Sequence, residues 1–213
     1  MRLFRFEYSC YARKVQMLLD LMGIAYEVCE VPFGDRTELV GVTGGYVQVP
    51  VLVDGSAVVV DSKAICEYLL SRRATSLLPP PWQALVWAYA DWCDGPLEDI
   101  LFRLAAPGIR GRFARSFDAA LFTFIKERKF GRGCVEDWAR DHDALLQRGR
   151  ALLAPTAATL RALPFICGEQ PTLADAALYG QCAMVQAADR SFVGALAAEL
   201  PAWMARLEGH AGG

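Results

Sequence analysis

Tyr8-Ser9-Cys10-Tyr11-Ala12-Arg13-Lys14-Val15 is the stretch on which the reading of this chain turns. Before it, Leu3 to Glu7 reads as a short strand in which Phe4 and Phe6 alternate with Arg5 and Glu7. After it, Val15, Leu18, Leu19 and Met22 recur at i, i+3, i+4 and i+7, with Arg13, Lys14, Gln16 and Asp20 on the opposite face. The spacing predicts a helix from about Tyr11 to Met22, stopped by Gly23, a residue that tolerates the left-handed C-terminal position. A helix start carries unpaired N–H groups and a partial positive charge. The Ser9 hydroxyl and the Cys10 thiol therefore stand where a sulfur anion is stabilised.

Outward from that stretch, strand and helix continue to alternate. Ala25–Val31 reads as a second strand, after a crossover long enough to make the pair parallel. A weak helix near Arg36–Val42 is broken by Gly44-Gly45. Val49–Val53 and Ala57–Val60 form a hairpin about Asp54-Gly55-Ser56, and a helix follows with Ile65, Tyr68 and Leu69 facing inward. Leu78-Pro79-Pro80-Pro81 is a stiff linker, because consecutive prolines do not continue a helix. The domains are set at 1–73 (mixed), 74–81 (linker) and 82–213 (all helical). Helices are expected near 82–104, 112–130, 134–162, 172–187 and 200–208, with breaks at Pro107-Gly108, Gly131-x-Gly133, Pro164 to Pro171, and Pro201.

Composition narrows the class. Of 213 residues, 54% are hydrophobic and 22% charged, which is globular rather than disordered, and the net charge of −2 offers no attraction to nucleic acid or an anionic membrane. No apolar run is long enough to span a bilayer, and the N-terminus enters strand pattern without a signal region, so a cytoplasmic location is expected. Seven scattered cysteines with no Cys-x-x-Cys pair, and only two histidines, argue against a metal site or a disulfide framework. Most of the cysteines are expected to be small buried apolar side chains, Cys10 excepted.

Three motifs join the opening stretch: Gln48-Val49-Pro50-Val51-Leu52, Asp61-Ser62 before the helix, and Phe165 to Asp175, where Thr172-x-x-Asp175 precedes an apolar run as a capping box does. Together with the order strand–helix–strand, hairpin, helix, then helices only, the chain resembles the glutathione transferase family, specifically its bacterial serine-type members. The resemblance implies an α/β thioredoxin-like N-terminal domain and an all-α C-terminal domain. It also implies glutathione as co-substrate, a small hydrophobic electrophile as second substrate, a homodimer, and a role such as detoxification.

By the same resemblance Ser9 takes the place of the catalytic serine and Cys10 that of the usual proline. Gln48, Val49 and a cis Pro50 would hold the cysteinyl part of glutathione, Asp61 and Ser62 would grip its γ-glutamyl end, and Thr172 and Asp175 are structural. Ser9 and Asp61-Ser62 can equally cap their helices. Which of Ser9 and Cys10 faces the sulfur stays open. Use of Cys10 would shift the activity toward thiol–disulfide exchange, although Ala12 at the resolving position excludes a dithiol cycle. Glutathione-dependent isomerisation and a non-catalytic binding protein are the other readings. Tyr8, Tyr11, Trp87, Tyr89, Phe113 and Phe117 are candidates for the electrophile's walls. Lys126 to Arg132 reads as a solvated helix end, and Arg103, Arg110, Arg112 and Arg115 are possible receivers of an acidic substrate.

Overall fold

A computed structural model of the protein describes residues 1–72 and 75–212. The first unit runs β1 (Arg2–Arg5), α1 (Cys10–Leu21), β2 (Glu27–Glu30), α2 (Thr37–Thr43), β3 (Val51–Asp54), β4 (Ala57–Val60) and α3 (Ser62–Arg72). Its sheet has the order β2-β1-β3-β4, with β1 parallel to β2 and antiparallel to β3, and β3 antiparallel to β4. Alternation along the strands buries both faces. Leu3 and Leu52 pack with Val15, Leu18 and Ile65 from α1 and α3, while Phe4 and Val51 pack with Leu39 of α2. Each such fully buried side chain is worth about 1.5–3 kcal/mol. The domain boundary expected between residues 73 and 74 lies outside the described residues.

The second unit is helical: α4 (Gln83–Trp92), α5 (Glu98–Gly111), α6 (Ser116–Phe130), α7 (Cys134–Arg140), α8 (His142–Ala162), α9 (Leu173–Ala188), α10 (Ser191–Leu196) and α11 (Leu200–Ala211). At its centre is α9, buried on all sides from Leu173 to Val185 and packed against α1, α4 and α5. Its Gly180 permits α9 to lie directly against the start of α1. A Cβ there would lie 2.3 Å from the Cys10 carbonyl oxygen and 2.9 Å from the Lys14 nitrogen. The capping box is formed: Asp175 accepts from the Thr172 N–H (2.9 Å) and also from Ile166 N (3.0 Å) and Trp203 Nε1 (3.1 Å).

Several expected boundaries move. The proline linker closes into a 3-10 turn, Pro80–Trp82, that opens directly into α4, because proline is well suited to a first helical turn. No break occurs at Pro107-Gly108. From Gln83 the chain stays helical to Gly111, through a π-helical turn at Cys93–Leu97 that contains Pro96. Packing outweighs the one hydrogen bond that Pro107 forgoes: Leu104, Ala105, Ala106 and Ile109 are buried, and Gly108 lies hard against Ala188. The expected helix 134–162 divides at Asp141, whose φ of −87° and ψ of 12° leave the helical well. The short α10 lies outside the helices expected from sequence, because six residues carry no periodicity of their own.

Candidate functional site

The start of α1 sets the centre of the site. Ser9 has extended backbone (φ −78°, ψ 113°), and its hydroxyl oxygen accepts the Ala12 N–H at 3.3 Å. A hydroxyl accepts and donates at once. The Ser9 proton has no acceptor among the described residues, so it remains available to a ligand. Cys10, next in sequence, differs. It is 4% exposed within the core cluster, and burial pushes its thiol well up, with Glu98 and Asp94 adding to the effect. Such a thiol stays protonated at neutral pH.

Lys14, placed on the solvent face by periodicity, is buried instead and forms an ion pair with Asp94 in the π-helical turn. The face opposite the sheet is covered by the helical unit, which one helix's pattern cannot announce.

The start of α3 supplies the second part. Asp61 adopts a φ of +73°, a left-handed conformation that costs a non-glycine residue about 1–2 kcal/mol. Its Oδ1 accepts from Lys63 N (2.8 Å) and Ala64 N (3.1 Å), so it caps α3, and Ser62 is buried at the first helical position. The Val49–Pro50 peptide bond is cis. Gln48, Val49, Pro50, Asp61 and Ser62 border one groove of about 570 Å³, together with Tyr11. It is also lined by Lys63 of α3 and, from the helical unit, by Asp91, Asp94, Glu98, Lys126 and Lys129.

A second cavity of about 390 Å³ adjoins Ser9 and is walled by Phe6, Tyr8, Phe33, Phe102 and Phe122. The rings interlock: Phe6 stacks on Tyr8 at 5.5 Å, Phe33 meets Phe122 at 5.9 Å, and Phe102 meets Phe122 at 6.5 Å. Arg36 lies over Phe6 (4.7 Å) and donates to the Val47 carbonyl. Lys126 lies over Phe102 (4.5 Å) and Phe122 (5.2 Å). Tyr11, Gln48, Val49, Glu98 and Lys126 border both cavities and so mark their junction.

Of the six aromatic residues named from sequence, Tyr8 and Tyr11 border this cavity. Phe113 backs it through Tyr8, Phe33 and Phe122. Phe117 is exposed, Trp87 lies under Lys63, and the Tyr89 hydroxyl bonds to Thr156. None of the four arginines borders the groove or the aromatic cavity. Arg103 and Arg110 pair with Asp99 and Glu136, Arg112 donates to the Ala187 carbonyl, and Arg115 lies over Phe117. Lys126 is not the solvated residue expected: it is half-buried, and burial lowers its pKa, with Lys129 acting in the same direction. Phe33, Phe102 and Phe122 carry no signal in the sequence, because they meet from the β2–α2 connection, α5 and α6.

Residues 3–77 match the family model for the glutathione S-transferase N-terminal domain, and residues 137–208 that for the C-terminal domain. Comparison with curated proteins gives no match. Among solved structures, a glutathione S-transferase of Ceriporiopsis subvermispora in complex with glutathione is similar at a TM-score of 0.79 and 19% identity, covering 96% of each chain. A glutathione transferase from Phanerochaete chrysosporium is similar at 0.76 and 17% identity, covering 98% of this chain and 96% of that one. One from Pseudomonas fluorescens is similar at 0.64 and 22% identity, covering 96% and 92%. At these identities the structural likenesses speak for the fold alone. With models of both domains matched over most of its length, this chain belongs to the glutathione S-transferase family.

Proposed function

We propose that the protein is a glutathione transferase that holds the glutathione sulfur as a thiolate at the start of α1 and delivers it to an apolar electrophile in the aromatic cavity. The observation that carries this reading is the uncommitted Ser9 proton at a helix N-terminus, at the edge of that cavity. A free thiol with a pKa of about 8.5 is only a few per cent ionised at neutrality. Lowering it by two units takes about 2.7 kcal/mol. A hydrogen bond to a charged acceptor supplies about 1.5–3 kcal/mol, and a helix N-terminus about 0.3–1 kcal/mol more. The two suffice without a histidine base. Ser9 acts as a donor, never as a nucleophile.

The tripeptide would lie along Gln48–Val49, with the Val49 backbone beside its cysteinyl part. Ser62 and the first amides of α3 would take the γ-glutamyl carboxylate, and Asp61 its ammonium group. Arg36 donates to the Val47 carbonyl; its guanidinium has no carboxylate partner among the described residues and suits the glycyl carboxylate. Burial of Cys10 weighs against disulfide exchange. A homodimer would use the face of α3 and the entry to α4, where Trp82 of the 3-10 turn and Leu85 of α4 are 54% and 63% exposed. A detoxifying role in the cytoplasm accords with this reading.

Calorimetric titration with glutathione tests the site. Asp61→Ala should weaken binding about tenfold or more through loss of a charge-assisted contact. Equal affinity in the two proteins would remove Asp61 from the site.

A further inference from the structure

We infer that the protein holds a second ligand site, for a primary arylalkylammonium ion, in a cavity of about 240 Å³ between the end of β1, the end of α5 and Asp118 of α6. None of the residues assigned above to glutathione borders it, so the site does not depend on that reading. It shares Phe6, Tyr8 and Phe33 with the aromatic cavity but has its own charged lining. Asp118 is the residue that calls for a ligand. It is 9% exposed, and its Oδ1 has no hydrogen-bond partner among the described residues. A place in the first turn of α6 favours the negative charge but leaves that oxygen without a donor. A buried carboxylate in this condition is costly. The backbone nonetheless makes room for it: a Cβ on Gly34 would lie 2.4 Å from Asp118 Oδ1. The buried Tyr8 hydroxyl is unpartnered as well. Burial pushes its phenol up, with Arg36 opposing and Asp118 adding, so it stays neutral and can accept.

The walls choose the ligand. Phe6, Tyr8, Phe113 and Phe33 close a circuit of rings, with centroids 5.5, 5.8, 5.0 and 5.6 Å apart in turn. Such rings attract a cation and also accept a flat apolar body. Glu7 and Glu30 join Asp118 on the lining, and Arg5 takes up Glu30 at 2.6 Å. Arg112 is the one cation of the lining, and it donates to the Ala187 carbonyl at 2.6 Å. Arg36 lies over Phe6 and Phe33 but borders the aromatic cavity instead. The lining therefore repels an organic anion and draws a cation. A primary ammonium brings three N–H donors, enough for Asp118 and Tyr8 together, and a quaternary one brings none.

Calorimetry with 2-phenylethylamine, 2-phenylethanol and the N,N,N-trimethyl derivative of the amine tests the site. The wild type should bind the amine about tenfold or more tightly than the alcohol, the scale of one hydrogen bond to a charged group. The trimethyl compound should fall between them, keeping the charge without the donors. Asp118→Asn, which removes the charge and keeps the shape, should erase the amine's advantage. Gly34→Ala leaves the carboxylate charged but pushes it from its place, so it should weaken the amine too and serves if Asp118→Asn folds poorly. Saturating glutathione should leave the amine's affinity unchanged. Equal binding of amine and alcohol by the wild type, an advantage that survives in both variants, or displacement of the amine by glutathione overturns the inference.

Discussion

The two walls of the cleft are built on different scales. On the first wall, Ser9, Val49, Pro50, Asp61 and Ser62 stand at two helix starts and a strand entry, and local backbone geometry places each of them. On the second, Glu98, Phe102, Phe122 and Lys126 come from α5 and α6, and reach the cleft only because α9 packs the helical unit against α1. A ligand with a fixed peptide backbone can be met by backbone groups and caps. A variable ligand is met by side chains that helix packing brings together. The difference teaches where function in such a fold is locally written and where it is tertiary.

The largest effect should come from attacking the core of the second wall. Asp175→Ala strips a fully buried acceptor from Ile166 N, Thr172 N and Trp203 Nε1. Each orphaned donor costs about 1–3 kcal/mol, so a loss of roughly 3–5 kcal/mol is expected in urea unfolding. A loss below about 1 kcal/mol would mean that this wall does not depend on the box.

Next comes the pin between the walls. Lys14→Met leaves Asp94 without its partner, and breaking a buried pair costs about 3–5 kcal/mol. Asp94 keeps 21% of its side chain exposed, so water recovers part of this and the lower end of that range is expected. Asp94→Asn in the same background should restore some stability, because it removes the unpaired charge. No recovery would show that packing, and not charge, makes Lys14 important.

The smallest effect lies on the outer surface. The Arg110 hydrogen bond holds the Glu136 carboxyl below its ordinary range. A depressed carboxyl adds stability above its unfolded pKa, and that stability is lost as pH falls through the folded value. Glu136→Gln should therefore lower the urea midpoint slightly near neutrality and leave it unchanged in acid, with no effect on glutathione binding. An equal shift at both pH values would contradict the linkage.

Much of the first wall could be read from the chain. The strand–helix–strand order, the Asp54-Gly55-Ser56 turn and the helix starts at Ser9 and Asp61 are short-range features, and the structure has them. What escaped was the left-handed backbone of Asp61, since aspartate does not declare its φ, and the burial of Lys14 and Cys10, since a helix pattern does not say what covers its second face. The second wall was scarcely legible. Pro107 stays inside a helix because the packing of Gly108 on Ala188 outweighs a local penalty, and Lys126 looked like one of several surface cations. The Thr172-x-x-Asp175 box was readable because capping is local.

The central claim is that Ser9 and the opening of α1 keep the glutathione sulfur ionised. A spectroscopic pH titration of thiolate absorbance in the glutathione complex tests it directly, on the wild type and on Ser9→Ala. The account predicts a bound-thiol pKa about one to two units below the free value of about 8.5 in the wild type, and most of that depression lost in Ser9→Ala. The same pKa in both complexes would contradict it.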